Sequence, residues 1–122
     1  MLANAGVTYR HEIDLGGRLS GEPGEERFAC IDTPAFRSYA ARMSTESWQQ
    51  ALDRALTEPS PCFMCAETLW WRCHRRLIAE LLTARGLVVR HLLGPGRGEP
   101  HRLYDESEIR EGMLYLCGQL VA

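Results

Sequence analysis

Residues 61–92 read PCFMCAETLWWRCHRRLIAELLTARGLVVRHL, and the fold class turns on how this stretch is parsed. Pro61–Ala66 is a short apolar run between prolines and a polar turn, the pattern of a strand buried on both faces. From Cys73 the period becomes helical. Leu77, Ile78, Leu81 and Leu82 form one stripe, Arg75, Arg76, Glu80 and Thr83 lie off it, and Gly86 marks the C-terminal stop. Leu87–Leu92 then reads as a second strand. Strand, helix and strand in this order make a right-handed βαβ unit with parallel strands. The expected class is therefore α/β, a small mostly parallel sheet with flanking helices.

Working outward, Thr8–Leu15 carries β-branched and aromatic residues, alternates in part and ends at Gly16–Gly17, so it reads as a short strand. Residues 16–33 are glycine-rich, charged and aperiodic, a long loop of the kind that is functional or disordered. Pro34, after Thr33 as N-cap, opens a short helix, AFRSYAARM. Ser44 or Thr45 caps the next, in which Trp48, Ala51, Leu52, Ala55 and Leu56 repeat at helical spacing until Pro59 and Pro61 end it. Beyond the central stretch, residues 94–100, GPGRGEP, read as a loop. The tail from Asp105 is expected as an amphipathic helix through Ile109, Met113, Leu116 and Leu120, weakened by Gly112 and Gly118. No internal repeat is visible, and 122 residues accommodate one domain with a modest core.

Composition sets further bounds. No apolar run approaches the roughly 20 residues of a membrane-spanning helix, and the first residues, MLANAGVTYRHE, lack the features of a signal peptide, so a cytoplasmic protein without a membrane partner is expected. Five cysteines, an odd number, then argue for reduced thiols rather than a disulfide scaffold. The net charge of -2 conceals an asymmetry. All fourteen basic residues are arginine, and between Trp70 and Leu103 seven of them face only Glu80 and Glu99, while both flanks are net acidic. A basic segment inside an acidic chain suits an anionic ligand, though a solvated arginine-rich face has the same signature.

In an open parallel sheet, ligands bind outside the carboxyl ends of the strands, beside the following helix N-termini. That placement selects residues 62–76, CFMCAETLWWRCHRR, the densest run of reactive side chains in the chain. Zinc is one reading, since Cys62-x2-Cys65 followed by Cys73-His74 superficially resembles a Cys3His set. A buried strand through Phe63–Met64 sends Cys62 and Cys65 to opposite faces, so no metal site is expected and Cys62 reads as packing. The other reading is an anion or electrophile site. A helix starting near Cys73 aims unpaired N–H groups at the crevice, with Arg72, Arg75 and Arg76 close by. The same field activates a thiol placed there, so Cys73, with Cys65 across the turn, is the expected nucleophile and Glu67 a general base or orienting carboxylate. A cysteine-phosphatase loop is excluded, because Cys65 to Arg72 is one residue longer than the Cys-x5-Arg that wraps a phosphate. Gly16–Gly17 has the spacing of neither a P-loop nor a dinucleotide fingerprint. One of Trp70 and Trp71 is expected to cover the site or stack on a base. His74, His91 and His101 are candidate bases or phosphate ligands, with Tyr39 a further candidate.

Taken together, LGG at 15–17, YAARM at 39–43, MCAE at 64–67, CHRRLIAELL at 73–82 and VVRHL at 88–92 resemble the domain-of-unknown-function 488 family of bacterial and archaeal proteins. The resemblance covers roughly residues 5–93 and implies an α/β fold with a parallel sheet. It marks Cys65, Glu67, Cys73, His74 and Arg75 as motif positions and supplies no activity. Members usually begin with an additional strand–helix–strand segment, which is expected to be missing here, and the tail after about residue 100 reads differently. An uncovered parallel edge would invite pairing, so a homodimer is expected.

These observations predict a binding or catalytic domain, with no cofactor, whose turn at 65–76 engages a phosphate-bearing small molecule or nucleic acid. Cys65, Glu67 and Cys73 would carry the chemistry, and Arg72, His74, Arg75, His91 and His101 would contact the ligand. The alternatives are a non-enzymatic module contacting protein or nucleic acid through its arginines, and a degenerate family member without chemistry.

Overall fold

A computed structural model describes residues 9–17, 21–65, 67 and 69–122. Among these, three α-helices are followed by five short strands: α1 (Pro34–Met43), α2 (Glu46–Leu56), α3 (Arg75–Ala84), β1 (Arg90–Gly94), β2 (Arg97–Pro100), β3 (Ser107–Arg110), β4 (Met113–Leu116) and β5 (Gln119–Leu120). Single 3-10 turns lie at Ile13–Leu15, Glu25–Phe28 and Trp70–Arg72. All strand pairing is antiparallel: β1 with β2 in one sheet, β3, β4 and β5 in the other.

The helices obey their local signals. Pro34 occupies the first turn of α1, where a missing N–H costs nothing. The Thr45 hydroxyl caps α2 by accepting the Trp48 N–H. Gly86, at φ +87, follows α3 in the left-handed conformation that commonly ends a helix. Phe36, Tyr39, Ala40 and Met43 of α1, Trp48, Ala51 and Leu52 of α2 and Leu77, Ile78 and Leu81 of α3 form the core, completed by Phe28, by Leu114 and Leu116 of β4 and by Val121.

The parallel sheet is a misreading of the sequence. Residues 61–65 form no strand: Cys62, Met64 and Cys65 are exposed, and no strand lies beside them among the described residues. An apolar run behind Pro59 and Pro61 mimics a buried strand without supplying a partner. Leu87–Leu92 is strand only from Arg90, and a local hairpin captures it. Gly94 pairs with Arg97 across Pro95–Gly96, with Gly96 at φ +67, the pattern of proline followed by glycine in a type II turn. The expected loop 94–100 thus contains β2.

The tail forms a meander instead of a helix. Arg110 pairs with Met113 around Glu111–Gly112, and Leu116 with Gln119 around Cys117–Gly118. In both two-residue turns the central residues have positive φ, +52 and +76, then +55 and +71. This is the type I′ geometry whose twist matches the flanking strands and which favours glycine at its second position. Of the first expected strand, the described part, Tyr9–Leu15, contains only the 3-10 turn at its end; Thr8 lies outside the described residues. The parallel edge on which a homodimer was expected is absent among the described residues.

The cysteines also depart from expectation. Cys30, after the Glu25–Phe28 turn, is joined by a disulfide to Cys117 in the last hairpin, closing a separation of 87 residues, while Cys62, Cys65 and Cys73 are free. The odd count conceals one bridge and three free thiols in the central stretch.

Candidate functional site

The 3-10 turn at Trp70–Arg72 delivers Cys73 and His74 to the start of α3. The Cys73 sulfur is buried and accepts the main-chain N–H of Arg75 at 3.4 Å and the Arg75 Nε–H at 3.3 Å, with His74 Nδ1 at 3.5 Å. A second Arg75 nitrogen, Nη2, donates to the Glu67 carbonyl, tying the guanidinium to the segment that carries Cys65. Cys65 is exposed, yet its sulfur, that of Cys73 and a His74 ring nitrogen all lie within 4.8 Å of one another.

The sulfur changes how this helix end is used. The Arg76 N–H is taken by the Cys73 carbonyl, and the Leu77 and Ile78 N–H groups by the His74 carbonyl. Since Cys73 Sγ takes the Arg75 N–H, the first-turn donors of α3 are satisfied by the chain itself. The expectation of unpaired N–H groups facing a crevice is corrected accordingly: the Cys73 sulfur occupies the position an external anion would take.

Two residues from outside the turn fix the imidazole. Gly17 lies against it so closely that a Cβ there would fall 2.2 Å from His74 Nδ1. The Tyr39 ring packs with its centroid 5.2 Å from that of His74. Tyr39 donates to the Leu15 carbonyl at 2.8 Å and accepts the Trp48 indole N–H at 3.0 Å. Burial pushes the Tyr39 hydroxyl well above its ordinary range, so it stays protonated near neutrality and holds the ring. Burial, reinforced by the Arg75 charge, lowers the His74 pKa and favours the neutral ring.

His91 and His101 form a second cluster. Glu80, in the middle of α3 and fully buried, accepts from the His101 side chain at Oε1 over 2.7 Å, from the Tyr104 N–H at 3.1 Å and from the Ser107 hydroxyl at Oε2. His101 Nδ1 in turn lies 2.8 Å from His91 Nε2. The His91 ring stacks flat on Trp70, 3.9 Å between centroids at an interplanar angle of 2°, and the Trp70 indole N–H donates to Glu99 at 2.7 Å. Burial, and then the proximity of His101, pushes the His91 pKa down to about 4. With His101 donating to Glu80 from Nε2, a neutral pair places the shared proton on His91 Nε2.

The expected site thus divides. Cys65, Cys73, His74 and Arg75 come together; Glu67 contributes its carbonyl to Arg75, while its carboxylate accepts the Leu69 N–H at 3.1 Å. Arg72 is exposed beside the turn, and Cys62 is exposed and outside the cluster. Of the tryptophans, Trp70 is buried against His91 and Trp71 is partly exposed. Gly17 and Glu80 were not singled out as site residues. A charged residue on a helix otherwise apolar around it was the available signal for Glu80; Gly16–Gly17 reads locally as a flexible or closely approached turn, and the ring that approaches Gly17 lies 57 residues away. A shallow concavity of about 380 Å³, lined by Arg27, Gln49, Arg85 and the C-terminal strand among others, shares no residue with either cluster.

The fold and the turn define a small domain of three helices and antiparallel hairpins that presents two thiols and an imidazole at the start of its third helix. The sequence profile described as "Domain of unknown function DUF488" matches residues 1–82, and the chain belongs to that family. No curated protein and no solved structure matches it. Among the described residues no helix is long and apolar enough to cross a membrane.

Proposed function

We propose that residues 65–75 form a thiol site for a small anionic electrophile, a phosphate-bearing compound being the natural class. The observation that carries this reading is the convergence of the Arg75 main-chain and Nε donors on the Cys73 sulfur, with His74 Nδ1 beside it. Cys73 forms a bond to the electrophilic centre while the leaving group departs with its electron pair; the thiol proton passes to His74 Nδ1. The ligand enters past Cys65, because Cys73 itself is only 4% exposed. Arg72 and Arg75 supply the positive field that selects a negative substrate.

The test compares two alkylating agents of similar size, anionic iodoacetate and neutral iodoacetamide, with each cysteine mapped by mass spectrometry at neutral pH. Exposed Cys62 is the internal reference. The iodoacetate-to-iodoacetamide rate ratio at Cys65 or Cys73 is expected to exceed that at Cys62 by about tenfold, equivalent to about 1.4 kcal/mol, to fall in Arg72→Gln and to diminish with added phosphate. Equal ratios at all three thiols would remove the reading.

A further inference from the structure

We infer that Cys65, Cys73 and His74 bind one zinc ion, with three protein ligands and a fourth position open on the Cys65 side. Among the described residues these are the side chains of metal-ligating type whose donor atoms converge, all within 4.8 Å. A tetrahedral zinc, with bonds of about 2.3 Å to sulfur and about 2.0 Å to nitrogen, separates a sulfur from a nitrogen ligand by roughly 3.5 Å and two sulfurs by roughly 3.8 Å. Cys73 Sγ and His74 Nδ1 are 3.5 Å apart, so one edge of that tetrahedron already exists. Cys65 belongs to no helix or strand and is exposed, so its sulfur can complete the set by a shift of roughly 1–1.5 Å.

The surroundings suit a metal-bound thiolate. N–H groups that donate to a ligating sulfur orient and tune it, and Cys73 has two from Arg75. Gly17 and Tyr39 hold the imidazole from outside the turn, so the harder ligand to position is set before any ion arrives. Two thiolates and an imidazole are soft and borderline donors, which selects zinc over magnesium or calcium. The strand geometry that sent Cys62 and Cys65 to opposite faces does not exist, and Cys62 is not needed: its place in a Cys3His set is the open position.

The metal site stands on this ligand geometry. Its regulatory consequence rests on the thiol reading above, since a zinc-held sulfur is not free to attack an electrophile and occupancy would silence Cys73.

The experiment is titration of the 122-residue chain, disulfide intact, with Co(II) as a spectroscopic substitute for zinc, alongside elemental analysis of zinc-loaded protein. Stoichiometric binding with the visible bands of tetrahedral cobalt and a sulfur-to-cobalt charge-transfer band is expected. Affinity should drop at least tenfold in Cys65→Ser and in His74→Ala and be unchanged in Cys62→Ser. Because Cys65 is exposed, its variant keeps the test valid should Cys73→Ser fail to fold. Absence of the bands, an octahedral spectrum, or binding that survives in Cys65→Ser or His74→Ala would overturn the inference. The alkylation ratios in metal-free protein separate the two proposals: a tenfold preference without cobalt binding leaves only the thiol site, and cobalt binding with flat ratios leaves only the metal site.

Discussion

Replacing Glu80 removes a fully buried carboxylate on which three donors converge. In Glu80→Ala, His101 Nε2, the Tyr104 N–H and the Ser107 hydroxyl lose their acceptor together. Ser107 is only half-buried and its hydroxyl can rotate toward water. The other two groups pay the desolvation of an unmade hydrogen bond, about 1–3 kcal/mol each, and the deleted methylenes leave a cavity. A loss of about 3–5 kcal/mol follows. Glu80→Gln keeps an oxygen for His101 and Tyr104 and turns an amide toward Ser107, whose oxygen can accept, so it should cost about 1 kcal/mol. Urea unfolding followed by circular dichroism reads both. With a slope near 2 kcal/mol per M, the alanine variant should unfold about 1–2 M earlier than the glutamine variant with the slope unchanged. Equal midpoints for the two variants, or an alanine loss below about 1 kcal/mol, would show that the network does not hold α3 to the hairpins.

Three further outcomes are expected. Gly17→Ala drives a methyl into His74 Nδ1 and should cost about 1–3 kcal/mol by overpacking while weakening cobalt binding, read by urea unfolding and metal titration. His91, held down to about 4 in the folded protein against 6.5 in the unfolded chain, should make stability fall as pH drops from about 6.5 to 4, because the unfolded state alone takes up the proton there. Urea midpoints between pH 7 and 4.5 should show that slope, and His91→Gln should flatten it; an unchanged slope would refute the assignment. Reducing the Cys30–Cys117 bridge, or making Cys117→Ser, releases a loop of 87 residues and should lower stability by about 4–5 kcal/mol on chain-entropy grounds, measurable as a shift in Tm.

What the sequence revealed depended on whether the signal was local. The helices were legible because Pro34, Thr45 and the 3.6-residue stripes act within one turn of chain. The reactive turn was legible for a similar reason, since Cys73, His74 and Arg75 are neighbours and touch one another. The sheet was misread because strand pairing is decided by a partner. Pro61–Cys65 has strand composition but none, and LVVRHL has one four residues further on, behind Pro95–Gly96. The meander was legible in principle: Gly112 and Gly118, read only as weak points in a helix, sit where type I′ turns require positive φ. The disulfide was not legible at all, because a pairing across 87 residues has no local trace and an odd cysteine count argued against it.

The boundary of the family match, at Leu82, falls inside α3 and just beyond Glu80, and the packing shows that it is no structural boundary. Every partner of the Glu80 carboxylate, namely His101, Tyr104 and Ser107, comes from the residues that follow. The same segment supplies Leu114, Leu116 and Val121 to the core, the Val121 carbonyl to the Ser44 hydroxyl and Cys117 to the bridge. A buried carboxylate deprived of its donors is strongly destabilising, so the helix that presents Cys73 and His74 depends on chain outside the matched region. The two clusters also meet in sequence at one short element. Trp70 begins the 3-10 turn that leads into Cys73 and stacks on His91, which in turn reaches Glu80 through His101. The position of the thiol turn on α3 is thus set from both ends, by Gly17 and Tyr39 against His74 and by the C-terminal hairpins through Trp70.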